Sequence, residues 1–168
     1  MRDEVDRLIA DWGRERPDLD LAPMQVLSRV TRIAKQLDHA RAAAFAAHEI
    51  VSWEFDVLAA LRRSGAPYQL SPGRLLQETM VTSGTMTNRI DRLTKRGFVR
   101  RAPDPHDGRG VVVTLTPAGL ETVDGALTDL LAAERPILAV LANDEADQLV
   151  GLLRTLSSEL EAEGTDRA

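Results

Sequence analysis

Ser83-Gly84-Thr85-Met86-Thr87-Asn88-Arg89-Ile90-Asp91-Arg92-Leu93-Thr94-Lys95-Arg96-Gly97 is the stretch on which the reading of this chain turns. At 100° per residue, Met86, Ile90 and Leu93 share one face of a helix and must point into a core. Gly84, Asn88, Asp91 and Lys95 fall opposite them, with Thr85, Thr87 and Arg92 on the flanks. Thr82 or Ser83 supplies the capping hydroxyl and Gly97 the stop. Amides and hydroxyls for base edges, with cations for phosphates, are what a helix needs in a DNA major groove.

The flanking sequence completes a motif. Ser71-Pro72 pairs an N-cap oxygen with a proline at the first helical position, opening a helix that runs to about Thr79. Two short helices joined by a tight turn form a helix-turn-helix. Downstream, Phe98-Val99-Arg100-Arg101 and the β-branched Val111-Val112-Val113-Thr114-Leu115 bracket a turn-rich stretch from Pro103 to Gly110. Two such strands predict a hairpin, placed where a wing would be.

Further out, Val5, Leu8, Ile9 and Trp12 recur at helical spacing, limited by Gly13 and Pro17. A long helix is expected from Pro23 to His48, with Leu27, Val30, Ile33, Ala34 and Leu37 on one side. Another covers residues 52–64, ended by Ser64-Gly65 and Pro67; Trp53 and Phe55 are assigned to packing. Pro117 opens a helix through Leu120, Val123, Leu127, Leu130 and Leu131, which Pro136 is expected to break. Asn143 or Asp144 then caps a last helix carrying Leu149, Leu152, Leu153, Leu156 and Leu160, before a loose tail from Gly164 to Ala168. That leucine stripe is too apolar to stay wet and predicts a homodimer through the N- and C-terminal helices. The fold class is mainly α with a small β-hairpin wing. Its expected divisions are 1–49 (N-terminal helices), 50–116 (winged helix-turn-helix) and 117–168 (C-terminal dimerisation helices).

The composition, 43% hydrophobic and 28% charged over 168 residues, is that of a globular protein. The net charge of −5 hides an asymmetry. Residues 71–110 hold Arg74, Arg89, Arg92, Lys95, Arg96, Arg100, Arg101 and Arg109 against only Glu78, Asp91, Asp104 and Asp107. A basic segment on an acidic body is the footprint of a face that meets phosphates. With no cysteine, disulfides, thiolate metal sites and thiol redox sensing are excluded. His39, His48 and His106 lack metal-ligand spacing, and no GxSxG, phosphate-cradling glycine loop or HExxH occurs, so neither an enzyme nor a cofactor is expected. No apolar run approaches the ~18 residues of a membrane span and the acidic N-terminus is no signal peptide, so a cytoplasmic location is expected.

The run from Gly84 to Leu93, then Arg96-Gly97 and Arg100, resembles the MarR (multiple antibiotic resistance regulator) family. The likeness continues through Asp104-Pro105-His106-Asp107-Gly108-Arg109-Gly110 and Leu115-Thr116-Pro117-Ala118-Gly119. Gly108 departs from the pattern, since the family often has a basic residue there. The resemblance implies a dimeric regulator on double-stranded, pseudo-palindromic operator DNA, with half-site centres about 10 bp apart. Ser83, Thr85, Thr87, Asn88, Arg92 and Lys95 would then touch DNA. Arg109 would enter the minor groove from the wing, oriented by Asp107. The chain also resembles the urate-responsive (UrtR) subgroup, whose four ligand residues correspond here to Trp12, Asp56, Arg63 and Arg89. That implies a small anionic ligand, either a urate-like purine or a polycarboxylate such as citrate or aconitate. Asp56 and Arg63 stand two turns apart on one helix, about 10 Å, and Arg89 is expected to reach inward toward the dimerisation helices. The competing reading is a winged-helix protein-interaction module that has lost DNA binding.

Overall fold

The structure, a computed structural model, describes residues 2–104 and 110–165. The wing tip, with its two expected DNA contacts Asp107 and Arg109, lies outside the described residues. Two units are described separately, residues 1–130 and 131–168.

In the first unit, α1 (Glu4–Glu15) opens with a reciprocal cap: Asp3 accepts from the Asp6 N–H at 2.9 Å and Asp6 from the Asp3 N–H at 2.8 Å. It packs on α2 (Ala22–Ala46) through the buried Val5, and Arg29 of α2 clamps both capping carboxylates at 2.7–2.8 Å. Helix α2 stops two residues short of the expected His48, because the chain turns at Glu49 with φ +56°. Helix α3 (Ser52–Arg63) is buried along Val57, Leu58, Ala59, Ala60 and Leu61, and Gly65, at φ +77°, lets the chain leave it. Phe55 stacks on Phe45 with ring centroids 4.5 Å apart, in a small cluster with Ile50, Ala126 and Leu130.

Helix α4 (Pro72–Thr79) starts as expected, Ser71 Oγ accepting from the Arg74 N–H at 3.3 Å. Met80 takes a left-handed conformation at φ 50°, making the tight turn into α5 (Ser83–Lys95), the second helix of the motif. Strands β2 (Val99–Pro103) and β3 (Val111–Leu115) pair antiparallel with Val99 opposite Leu115. The expected hairpin is in fact part of a three-stranded sheet of order β1-β3-β2. The added strand β1 (Gln69–Leu70) pairs Gln69 with Thr114 and Leu70 with Val113. At two residues it is too short to show an alternating pattern, and only β3 makes it a strand.

Helix α6 (Pro117–Leu138) passes through Pro136 and ends two residues later. So close to the C-terminus a proline shortens the helix without breaking it, since few bonds remain to be lost. In the second unit, α7 (Asn143–Thr165) follows a cap made by neither Asn143 nor Asp144: the Glu145 carboxylate accepts from the Ala142 N–H at 2.8 Å. This helix runs to Thr165, through Gly164 where a loose tail was expected to begin; the rest of that tail lies outside the described residues. Among the described residues no helix is long and apolar enough to cross a membrane.

The Leu115–Gly119 motif has a packing explanation. Thr116 Oγ1 donates to the Gly97 carbonyl at 2.7 Å and accepts from the Gly119 N–H at 3.0 Å, tying the end of the motif's second helix to the start of α6. A Cβ on Gly119 would lie 2.1 Å from the Phe98 carbonyl oxygen, which is backbone and cannot swing away. Gly119→Ala is therefore expected to cost about 2–3 kcal/mol, read as a lower midpoint in urea unfolding with an unchanged slope.

Candidate nucleic-acid interface

Helix α5 carries the division of faces that its sequence predicts. Met86, Ile90 and Leu93 are buried against Leu58, Leu61 and Leu75, while Ser83, Thr85, Thr87, Asn88, Arg92 and Lys95 are exposed. Thr82 occupies the N-cap position, and its hydroxyl is engaged with Thr85 Oγ1 at 3.0 Å, with no side-chain cap on a backbone N–H. The first-turn amides of α5 are thus not covered by a capping side chain, as suits a helix end that approaches phosphates. Thr87 Oγ1 donates to the Ser83 carbonyl at 3.1 Å, on a residue that is exposed. Asp91, expected on the open face, is half-buried and paired with Arg101 of β2, which removes a repulsive charge and joins helix to wing.

The flank of α5 toward α3 is an arginine stripe, Arg89, Arg92 and Arg96, at i, i+3 and i+7. Arg96 donates at 2.7 Å to Glu54, which is only 3% exposed, and at 2.7 Å to the Glu49 carbonyl, with its guanidinium 4.7 Å from the Phe98 ring centre. Glu54 also accepts from the Val51 N–H at 3.1 Å. A desolvated carboxylate met by a bidentate-capable cation locks the start of α3 to the end of α5. The Arg89 and Arg92 guanidinium groups lie over the Trp53 ring, at 5.4 and 5.0 Å from its centre.

Three of the four expected ligand residues share an electrostatic neighbourhood. Desolvation by the surrounding protein raises the pKa of Asp56 above the ordinary aspartate value of 3.8, against the lowering charges of Arg89, Arg41 and Arg63, although the residue keeps an exposed surface. Arg63 is exposed and stands 3.4 Å from Glu78 of α4. Arg89 reaches α3 of its own lobe, where the sequence reading pointed it toward the dimerisation helices; a side chain 60° off the core face of α5 meets α3 first. Trp12 is on α1 and is 46% exposed, and the ring that receives the arginines is Trp53. Neither motif nor hydrophobic pattern marks Arg41, Glu54 or the inward pairing of Arg96, and Trp53, expected only to pack, receives two arginines. The one available signal was the i, i+3, i+7 arginine spacing, which needs a partner surface inside the protein.

A helix-turn-helix with a sheet-borne wing, an apolar strip holding its second helix and a polar face left open defines a DNA-binding winged helix. Comparison with known proteins gives the family. The MarR family profile matches residues 50–110. The HTH-type transcriptional regulator PecS of Dickeya dadantii is 36% identical over 157 residues, covering 94% of this chain and 95% of its own. The chain belongs to the MarR family and is a transcriptional regulator of the MarR type. Among solved structures, a MarR mutant from E. coli complexed with operator DNA superposes with a TM-score of 0.69 at 26% identity, covering 82% of this chain and 99% of that one. BpsR of Bordetella bronchiseptica, whose regulation of DNA binding by 6-hydroxynicotinic acid that structure addresses, gives 0.67 at 26% identity, over 79% and 92%.

The raised pKa of Asp56 has a sign that can be measured. Its protonated form contributes stability below pH 3.8, and that contribution is lost as pH rises through the higher folded-state value. Asp56→Asn mimics the protonated form. It is expected to melt above wild type at pH 7, with the gap closing as pH falls toward 3.8; pH-resolved thermal melts check this.

Proposed function

We propose that this regulator is a homodimeric repressor whose two α5 helices enter successive major grooves of a pseudo-palindromic operator, and that a small anion releases it. The observation that carries the reading is the cluster of Arg41, Arg63 and Arg89 around one carboxyl on the flank of the DNA-facing helix. Three cations acting on a single Asp56 favour an added negative charge, and one of the three belongs to the helix that reads DNA.

In this reading Ser83, Thr85, Thr87, Asn88, Arg92 and Lys95 contact the duplex. Asp107 orients Arg109, which enters the minor groove from the wing. The anion pairs with Arg63, repels Asp56, disturbs the hold on Arg89 and shifts α5. Trp12 supplies a further stacking surface, as the likeness to the urate-responsive subgroup implies. The ligand is a urate-like purine or a polycarboxylate such as citrate or aconitate. The regulation of DNA binding of BpsR by 6-hydroxynicotinic acid is a precedent for such control on a related fold. Dimerisation is supported by the apolar faces left open on the terminal helices, Leu27, Val30 and Ile33 on α2 and Leu149, Leu152, Leu153, Leu156 and Leu160 on α7. A protein that reads chromosomal DNA works in the cytoplasm, where we place it.

The test is a mobility-shift assay on the DNA upstream of the chain's own gene, titrated with urate, xanthine, citrate and aconitate. One class of anion should release the duplex, and binding should fall steeply with salt. Arg63→Ala should retain DNA binding and lose the response; an equal response in this variant would end the anion-switch reading. Asn88→Ala should weaken operator binding by about 1–3 kcal/mol with no loss of thermal stability, since its side chain is exposed.

A further inference from the structure

The indole of Trp53 is half-buried, packed on one side against the core of the DNA-binding lobe. The guanidinium groups of Arg89 and Arg92 both lie over this ring, at 5.4 and 5.0 Å from its centre. Arg92 is exposed on a flank of α5, and an exposed arginine ordinarily samples many rotamers. A cation resting on a ring gives up that freedom before any partner arrives, while the N–H edges in its own plane stay open to donate. Arg89, on the same ring, also acts on Asp56.

We propose that Trp53 is a positioning residue for DNA reading. It holds the Arg92 guanidinium ready for the duplex and, through the ring shared with Arg89, ties that posture to the charge cluster around Asp56. The proposal rests on the DNA-facing assignment of Arg92 made above.

The experiment uses a duplex that the full-length wild-type chain selects from a random-sequence pool. Binding is titrated for Trp53→Phe, Trp53→Leu, Arg92→Ala and the Trp53→Leu/Arg92→Ala double variant. Losing the ring in Trp53→Leu should weaken binding about fivefold, whereas Trp53→Phe, which keeps a π face, should stay within about twofold. In the Arg92→Ala background, Trp53→Leu should add little. Equal weakening with and without Arg92, or a Phe variant as poor as Leu, overturns the proposal and leaves packing as the role. Failure of wild type to select any duplex strikes the DNA-reading assignment instead. Should Trp53→Leu fail to fold, Trp12→Phe leaves Trp53 as the sole indole of a chain with two tryptophans. Its fluorescence should change on addition of the duplex, and the change should vanish with Arg92→Ala; emission indifferent to DNA in that protein overturns the proposal equally.

Discussion

A helix offered to DNA can be held only from behind. In this chain the holding is done by Met86, Ile90 and Leu93, each buried to within 1% of complete exclusion from solvent. Burying such side chains contributes about 1.5–3 kcal/mol apiece, and they meet Leu58 and Leu61 of α3 and Leu75 of α4, also fully buried. The orientation of every polar group on the other side follows from that strip. Asn88 and Lys95 are wet because Ile90 and Leu93 are dry, and rotating the helix to bury either would pull an aliphatic side chain into water. The end of the helix is fixed as firmly, since Gly97 adopts a φ of +77° and its carbonyl accepts from Thr116.

On that scaffold, electrostatics makes the second connection. Trp53, Glu54 and Asp56, within one turn of α3, address Arg92, Arg96 and Arg89 in turn. The three contacts differ in kind. The Glu54–Arg96 pair is buried on the acid's side and acts as a latch, because either partner left alone would be an uncompensated charge. The ring contacts of Trp53 seat two guanidinium groups while leaving their N–H edges open, and Asp56, itself exposed, meets its arginines through their charges. The lobe is thus held by the buried latch, and the exposed flank beside it carries the lighter contacts.

The sequence was most legible where one period governs several residues. The α5 wheel, the Ser71-Pro72 start and a hairpin of two strands follow from local pattern, because local geometry and burial agree there; the first strand, expected at residues 98–101, runs Val99–Pro103 and takes in the proline expected to open the turn. Strand β1 was invisible, having no pattern of its own. Pro136 misled because its position relative to the helix end, rather than its presence, decides what it does. For the site, residue types singled out Asp56 and Arg63 on α3 and Arg89 on α5, and the charges of both arginines act on Asp56. Which aromatic ring joins the arginines could not be read from the chain, since Trp12 and Trp53 differ only in where tertiary packing brings them. Arg41 was hidden for the same reason: it sits on a helix far along the sequence from the residues it faces.

The bond between Asp91 on α5 and Arg101 on β2 makes the protein a calliper. On the DNA-facing reading proposed above, the pair helps hold one jaw, α5, against the strand from which the wing leaves. A duplex would then be gauged by the spacing of a wide furrow and the narrow one beside it before any base is inspected. Duplexes of A-form geometry, with their deep, closed major groove, are expected to fit that spacing poorly whatever their sequence.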